Sequence, residues 1–268
     1  MSAASTAQES VSRRDAGRWS VEWGTIRVLA WRDAVRLGRE RSRWLGLVAQ
    51  PLLFLLIIGS GMADALVVPG TEALGAMAFY YPGVLAMLVL FTSIFSTMSV
   101  IEDKHSGFLQ AVLAAPGSSS ALVLGKTAGV TLIVLVQAAL FLLAAPLAGI
   151  GWSVIDWPML LLVLLLANTA LTAANFVFAW WLDSTHGYHA LMGVVLMPMW
   201  IVSGAMFPAP EGWMGAVVAV NPMSYGVSGL RAAMGQTVPG PGLATSLAVL
   251  SACVVICLGM AVWTTRRR

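Results

Sequence analysis

The sequence predicts an all-α membrane protein with six transmembrane helices, preceded by an amphipathic helix that lies in the membrane interface. Of its 268 residues, 59% are hydrophobic and only 10% are charged, and the mean hydropathy is +0.84. Soluble domains are less apolar and carry about 25% charged residues, so a bilayer is the expected solvent. Six apolar runs each have about the 20 residues that crossing a bilayer takes. They cover residues 44–63, 77–100, 128–150, 157–181, 190–207 and 243–263.

The segment before the first span divides into two parts. Residues 1–18 are small and polar, and they predict a flexible tail because they offer little apolar surface to bury. Residues 19–43 follow a helical period, with tryptophans on one face and arginines on the opposite face. This pattern is typical of a helix in the lipid interface whose arginines reach anionic headgroups. The two faces are marked by Trp19 and Trp23 on the apolar side and by Arg32, Arg36, Arg39 and Arg43 on the basic side.

The basic residues predict the orientation of the chain. Nine arginines precede the first span, Lys104 and Lys126 flank the connection between spans two and three, and three arginines end the sequence. With six spans, all of these residues lie on one side of the membrane. Arg231 is the one Lys or Arg that lies elsewhere. Lys and Arg concentrate in cytoplasmic loops. Both termini are therefore expected in the cytoplasm, and the chain in the cytoplasmic (inner) membrane.

The connection between spans two and three contains a short helix, predicted at about residues 102–113. It begins with charged residues, continues with four apolar residues at helical spacing, and ends before Pro116. Such a helix needs a surface to cover its apolar face. From the residues alone, docking into a groove of another protein and packing beneath its own bundle are equally good interpretations. The four apolar residues are Phe108, Leu109, Val112 and Leu113.

Helix-breaking residues occur in two places in the second half of the chain. Span five contains Pro198 and ends in Ser-Gly-Ala-Met-Phe-Pro, so a broken or partly re-entrant helix is expected there. The following connection, residues 208–242, is the longest and mixes short apolar stretches with Gly, Pro and Asn. We expect it to form short helices at the outer interface over about residues 208–235.

A nucleotide site in this chain is not expected. Gly125-Lys126-Thr127 resembles the end of a phosphate-binding loop, but the glycine required five residues before Gly125 is Ser120. Lys126 is instead expected to anchor its helix at the inner interface. Any ATP and its magnesium would therefore be bound by another polypeptide.

Metal sites and catalytic residues are not expected either. His186, His189 and Asp183 lie in the short loop between spans four and five, but no fourth ligand is nearby. Cys253 and Cys257 lie within the last apolar run, where a thiol behaves as a small hydrophobic group. We predict no catalytic group and no nucleic-acid partner.

Three polar residues in span four share one helix face: Asn168, Thr172 and Asn175. Polar side chains in a membrane usually turn inward and bond to neighbouring helices. Packing is therefore the favoured interpretation, and lining a substrate path is the alternative. The spans carry no charged residue at mid-depth, which argues against a proton relay and for a lipid-like or apolar cargo.

Several short motifs form a recognisable series. In residues 101–126, charged residues, Gly-Phe-Leu, alanine and proline precede Leu-Gly-Lys. The other motifs are Tyr81-Pro82-Gly83, the Ser-Gly-Ala-Met-Phe-Pro of residues 203–208, and Asn221-Pro222 followed by Tyr225, Leu230 and Arg231. In order and spacing they resemble the type 2 ABC exporter permeases, the family of drug, lipid and polysaccharide export subunits.

The resemblance implies one permease domain, residues 44–268, that works with a cytoplasmic ABC ATPase and with a second permease copy, identical or similar. The segment 102–113 would be the coupling helix that enters a cleft on the ATPase. The implied coupling residues are Glu102, Asp103, Gly107, Phe108, Leu109, Val112, Leu113 and Pro116. The implied residues of the external segment are Asn221, Pro222, Tyr225 and Arg231.

The predicted function is ATP-driven export of an amphiphilic or lipid-linked cargo, such as a drug, lipid or glycan. Two alternatives remain. An ATP-independent transporter is disfavoured because buried ionisable coupling groups are missing from the spans. A membrane assembly or scaffold protein is the second alternative, and measured transport of cargo would separate it from the first two.

Overall fold

The computed structural model describes residues 21–36, 39, 41–61, 75–114, 119–207 and 212–266. Regular secondary structure in these ranges is helical throughout, and α1 covers residues 21–36. The helices that follow are α2 Arg41–Gly61, α3 Ala76–His105, α4 Phe108–Ala114, α5 Ser119–Leu142, α6 Trp157–Leu182, α7 Thr185–Ala205, α8 Trp213–Val220, α9 Pro222–Ala233 and α10 Leu243–Arg266. The predicted tail at 1–18, Trp19, Pro116 and the side chain of Arg43 lie outside the described part.

Five of these helices are long and apolar enough to cross a membrane, namely α3, α5, α6, α7 and α10. Each overlaps one of the predicted spans. The helix at the first predicted span, α2, contains Pro51 and has a shorter apolar stretch, Ala49–Gly59. Within the described residues, the fold is therefore an all-helical bundle with five long apolar helices.

The observed helix bounds differ from the predicted ones on both sides of α4. α3 continues to His105, and α5 runs from Ser119 to Leu142, where hydropathy predicts a span over 128–150. Beyond α5, Pro146 lies in a 3₁₀ turn, because a proline cannot continue the α-helical hydrogen bonding. Part of the third apolar run is therefore a turn and not a spanning helix.

α3 is the central helix of the bundle. Its side chains are buried along most of its length, Tyr81 and Leu85 among them, and it packs against α2, α5 and α6. α10 packs against α6 and α9 on one side only, and it exposes Val255 and Ile256 on the other. Lipid tails are as apolar as these side chains, so an exposed apolar face suits a helix at the edge of a membrane bundle.

α7 departs from regular α-helical geometry around Pro198. Turns of π-helix occur on both sides of this residue, at Met192–Leu196 and Ile201–Ala205. Local π turns compensate for the hydrogen bond that proline removes in a membrane helix. The break that the sequence predicts in this span lies at Gly204, where φ is +84°, and not at Pro198.

Two short helices, α8 and α9, occupy the region in which the sequence predicts them. Pro222 opens α9, where its fixed φ suits the first turn, and Asn221 caps the helix. At the other end of α9, the Ala233 carbonyl accepts a hydrogen bond from the Asp156 N–H at 2.8 Å. Asp156 precedes α6, so α9 lies at the end of the bundle where α6 begins. We call this the α9 end, and the opposite end, where α3 terminates, the α4 end.

Candidate functional site

Asp103, in the last turn of α3, is the centre of a group of charges at the α4 end. It is only 3% exposed, yet it contacts cations from two other helices. Arg32 of α1 donates to its two oxygens at 3.1 and 2.7 Å, and Lys126 Nζ of α5 lies 2.6 Å from Oδ2. A two-pronged arginine contact fixes the orientation of both groups. Asp103 therefore joins α1, α3 and α5 at one point.

Lys126 is an internal ion-pair partner and not the interfacial anchor that the sequence suggests. It is 2% exposed, and its Nζ lies 2.9 Å from the carboxylate of Asp33 on α1. The same nitrogen donates to Ser99 Oγ at 3.2 Å. Leaving a buried charge unpaired is costly, and here two carboxylates pair with this lysine. We call Arg32, Asp33, Asp103 and Lys126 the charged cluster.

One face of α1 packs directly on α5. Leu29 and Ala30 are buried there, opposite Gly125 and Gly129. A Cβ added to Gly125 would lie 2.9 Å from Leu29 Cβ, so the two helices approach closely because these positions are glycine. Small residues four positions apart permit such contacts. α1 is therefore docked on the bundle.

The other sides of α1 only partly follow the predicted pattern. Trp23 is 66% exposed, and Arg39, which follows α1, is also exposed. An interfacial position for this helix therefore stays a prediction. Arg32 and Arg36, however, turn towards acidic residues of α3. Arg36 Nη2 lies 2.5 Å from Glu102, and Arg32 holds Asp103. Carboxylates of the same chain bind these two arginines, and contact of this helix with lipid headgroups stays a prediction.

Arg32 also connects the charged cluster to α4. Its guanidinium carbon lies 3.7 Å from the centre of the Phe108 ring, a cation–π contact. Hydrogen bonding to Asp103 raises the pKa of Arg32 above its ordinary value, so the cation is retained. Phe108 is the first residue of α4, and the start of this short helix is therefore held by α1.

The sequence predicts that the short helix begins near Glu102, but in the structure it begins at Phe108. Glu102 and Asp103 belong to α3, which ends at His105. Between the two helices, Gly107 has a φ of +76°, a conformation that favours glycine. The implied coupling residues therefore divide between the end of α3 and α4.

The two faces of α4 are in different surroundings. Leu109 is 1% exposed, and the other three apolar residues pack against the core while remaining partly exposed. The sequence left two interpretations open, and the apolar face follows the one in which it packs on its own bundle. The exposed face consists of small or polar residues: Gln110, Ala111 and Ala114. This second face is the more exposed of the two and is open to contact with another protein.

A second ion pair joins α3 to the turn after α6. Lys104 Nζ lies 2.9 Å from Asp183, and His105 Nε2 lies 3.3 Å from the same carboxylate. The hydrogen bond from Lys104 lowers the pKa of Asp183 below its ordinary value. His189 bonds to the Thr185 carbonyl at 2.8 Å. Within the described ranges, His, Cys, Asp and Glu side chains form no group of three suited to a metal ion.

The polar residues of α6 are buried between helices. Asn168 donates to Thr131 of α5 at 2.7 Å and accepts from Thr172 at 3.3 Å. Asn175 donates to Ser93 of α3 at 2.9 Å. These bonds hold α6 against both neighbours. The arrangement favours packing over a substrate path.

We expect Asn168→Ala to lower the free energy of unfolding by about 1–2 kcal/mol, because it removes a buried hydrogen bond between α5 and α6. Ser251→Ala, on the exposed side of α10, is the control and should change it by less than about 0.5 kcal/mol. Reversible unfolding of the purified protein in detergent measures both. Equal effects of the two substitutions would contradict a packing role for Asn168.

The motifs that begin span two and end span five meet at the α9 end. The Tyr81 hydroxyl donates to the Phe141 carbonyl at 2.5 Å, and Trp200 Nε1 donates to the Gly83 carbonyl at 2.9 Å. Gly83 also lies against the backbone of Ala205. These residues therefore lock α3 to α5 and α7.

The external motif positions α8 and α9. Asn221 Nδ2 donates to the Met199 carbonyl of α7 at 2.5 Å, and the Tyr225 hydroxyl donates to the Ala219 carbonyl of α8 at 2.7 Å. Arg231 of the same motif is buried and lies over the Phe79 ring, 4.4 Å from its centre. Asn221 and Tyr225 thus hold the backbone in place, whereas Arg231 makes no comparable bond in the described part.

An apolar cavity of about 190 Å³ lies between α6, α7, α9 and α10. Two features stand out in its lining. Asn175 is the polar residue of α6 that reaches it, and both cysteines border it as free thiols. The main apolar lining residues are Leu171, Phe178, Leu196, Met223 and Leu250. The cavity suits part of an apolar molecule, since drug-sized sites are larger, about 300–1,000 Å³.

These features define a multi-pass helical membrane protein with a short exposed helix fixed to one end of its bundle. The sequence profile of the ABC-2 type transporter family matches residues 25–234. That stretch runs from α1 to the end of α9 and includes the charged cluster and α4. The chain belongs to the ABC-2 type transporter family, and it is a type 2 ABC permease.

Named relatives of this chain are also permeases. The putative transport permease ycf38 of Pyropia yezoensis is 24% identical over 210 residues, which cover 77% of this chain and 72% of the relative. The daunorubicin resistance ABC transporter permease protein DrrB1 of Streptomyces coeruleorubidus is 27% identical over 219 residues, which cover 77% of this chain and 74% of the relative. The chain is therefore a membrane transport permease, of a family that associates with an ABC ATPase.

Proposed function

We propose that this chain is the permease subunit of an ATP-driven exporter, whose ATPase is a separate polypeptide that binds the ATP and Mg²⁺. The observation that carries the proposal is α4, a short helix with an exposed face that is fixed to the bundle by Arg32 over Phe108. A helix presented in this way suits docking into a groove of a partner protein. Its partner would be the cytoplasmic ABC ATPase.

In the proposed topology α2 also crosses the membrane, which brings the number of spans to six, and the α4 end faces the cytoplasm. α2 has 21 residues, close to the length that a bilayer requires. The α4 end carries Lys104, Lys126 and the arginines of α1, a bias typical of the cytoplasmic side. α1 would then lie along the inner interface, with Trp23 towards lipid, and the chain would reside in the cytoplasmic membrane.

The charged cluster connects α4 to the spans, so a displacement of α4 can be passed on to them. Phe108 contacts Arg32, Arg32 holds Asp103, and Asp103 holds Lys126. Paired buried charges resist separation, because each would be costly to leave alone. A push by the ATPase on α4 would therefore move α1, α3 and α5 together. In a working unit of two permease copies, identical or similar, such movements would open a path between the copies.

The proposed cargo is amphiphilic or lipid-linked. The cavity between α6, α7, α9 and α10 is almost wholly apolar, and Asn175, the polar residue of α6 that borders it, also donates a hydrogen bond to Ser93. The name of DrrB1 points to a drug in that relative, and a hydrophobic drug, a lipid or a lipid-linked glycan would all suit the apolar bundle here. The direction, outward, follows from the exporter family that the motifs resemble.

ATPase docking can be tested with charges placed on the exposed face of α4. We expect Ala111→Glu plus Ala114→Glu to reduce the ATPase that co-purifies with the permease at least about tenfold, because the carboxylates would be buried in the contact. Both positions are exposed, so the melting temperature of the permease alone should stay unchanged. His186→Glu, at the same end but on α7, is the matched control and should retain the ATPase.

Two outcomes would argue against this function. Full retention of the ATPase by the α4 variant would show that α4 is not the docking helix. A wild-type chain that purifies without any ATPase from gently solubilised membranes would overturn the ABC exporter assignment. An ATP-independent transporter would then still move cargo in purified vesicles, whereas an assembly or scaffold protein would not.

A further inference from the structure

Arg231 is a buried cation without a partner in the part of the chain that the structure describes. It is 6% exposed, and neither its Nε nor its Nη2 has a hydrogen-bond partner. Buried polar atoms are nearly always hydrogen-bonded, and buried charges are nearly always paired. An arginine in this state suggests that a group outside the described residues satisfies it.

The unpaired atoms lie on one edge of the guanidinium. Nε and Nη2 present parallel N–H groups, the arrangement that matches two oxygens of a phosphate or carboxylate. One face of the group is covered by the Phe79 ring at 4.4 Å. Near Nη1, a Cβ added to Gly204 would lie 3.9 Å away, so the end of α7 approaches without a side chain. The guanidinium is therefore held in place while one edge stays unpaired.

The described neighbouring side chains do not neutralise this charge. Gln236 donates its amide to the Ala78 carbonyl at 2.7 Å, and an amide carries no charge. Among the described acidic residues, Asp156 is the one at the α9 end, and it caps α6 by accepting from the Met159 N–H at 3.1 Å. Burial lowers the pKa of Arg231 to about 10, which leaves it charged at neutral pH. No described acidic residue therefore balances the positive charge of this site.

We propose that Arg231 forms a phosphate-binding site at the α9 end, filled by the phosphate of a lipid headgroup or by free phosphate. α3 begins at Ala76, only three residues before Phe79, so the site lies near the end of a spanning helix. Lipid phosphates are concentrated at that level of a bilayer, which favours phosphate over a carboxylate. ATPase docking occurs at the opposite end, so failure of this site would leave the proposed function intact.

The test uses the full chain, purified in a maltoside detergent that contains no phosphate. The probes are inorganic phosphate against chloride at equal ionic strength, and dioctanoyl phosphatidic acid against dioctanoylglycerol. The measurement is the melting temperature at increasing probe concentration, which gives an apparent Kd. We expect a phosphate-bearing probe to stabilise the wild type, whereas its matched control does not.

Variants assign the effect to the arginine. In Arg231→Gln the apparent Kd should weaken at least about tenfold, since hydrogen bonds to a charged group are lost. Arg231→Lys keeps the charge but not the paired N–H edge, so it should also bind more weakly. Arg266→Gln removes an exposed cation from the opposite end and should behave as the wild type.

The two probes distinguish the source of the phosphate. Stabilisation by both would place the site within reach of water, and stabilisation by the lipid alone would show that acyl chains are needed. A wild type that responds to neither probe would overturn the site, as would Arg231 variants that respond as strongly as Arg266→Gln. If Arg231→Gln does not fold, Arg231→Lys decides between these outcomes.

Discussion

Replacing Asp103 with asparagine is expected to lower the free energy of unfolding by about 3–5 kcal/mol, the cost of removing one partner from a buried ion pair. Asparagine preserves the size of the side chain but not its charge. Lys126 would then keep only Asp33 as an ion-pair partner, and Arg32 would lose its two-pronged contact. Denaturant unfolding of the purified permease measures the loss. The same substitution should also reduce the extent to which the permease stimulates ATP hydrolysis by the ATPase, because α4 is held through Arg32.

Glu102 supplies a matched control for Asp103. It lies in the same turn of α3 and pairs with Arg36, but its side chain is 43% exposed. Exposed ion pairs contribute about 0–1 kcal/mol, so Glu102→Gln should change stability little. Adding Lys126→Met to Asp103→Asn should recover part of the lost stability, since it removes the stranded cation. Equal losses in Asp103→Asn and Glu102→Gln would contradict a central role for the charged cluster.

The charged cluster could not be predicted from the sequence, although its residues are visible there. Periodicity placed Arg32 and Arg36 on a common face of α1, but it carries no information about which surface that face meets. Lys126 and Asp33 are separated by 93 residues, and only the packing of α1 on Gly125 and Gly129 brings them together. Without that contact, lipid headgroups were the reasonable partners for the arginines.

The short helix shows the same limit at smaller scale. The spacing of Phe108 and Leu109 correctly predicts a helix with one apolar face. Whether that face meets a partner or the bundle depends on where α3 ends, and Gly107 determines this through its left-handed turn. Leu109 is buried in the bundle, so a charge placed there would test folding and not docking. No apolar pattern in the sequence marks the exposed side of α4.

Helix α6 was predictable almost to the residue. It runs from Trp157 to Leu182, against a predicted span of 157–181. Local signals mark both ends, since Asp156 caps the first turn and the chain becomes polar from Asp183. α5 lacked such signals, because Ser119 to Thr127 mixes polar and apolar residues and because Pro146 lies inside the apolar run. Hydropathy locates a span well only where local chemistry ends it.

The contact between α3 and α7 leads to the second large expected effect. A Cβ at Gly83 would lie 2.7 Å from the carbonyl oxygen of Ala205 and 2.9 Å from its Cα, distances that a relaxed structure does not tolerate. These are backbone atoms, so no side chain can rotate away. We expect Gly83→Ala to force α3 and α7 apart and to lower the free energy of unfolding by about 1–3 kcal/mol.

A helical glycine with open space around it gives the opposite expectation. Gly259 of α10 has no atom within 4 Å of an added Cβ. Alanine is favoured over glycine in helices by about 0.5–1 kcal/mol, so Gly259→Ala should leave stability unchanged or raise it. Unfolding of both variants in the same detergent compares them directly. If Gly83→Ala also proved neutral, the close contact at Ala205 would not hold α3 to α7, and Trp200 would remain as their main link through its hydrogen bond to the Gly83 carbonyl.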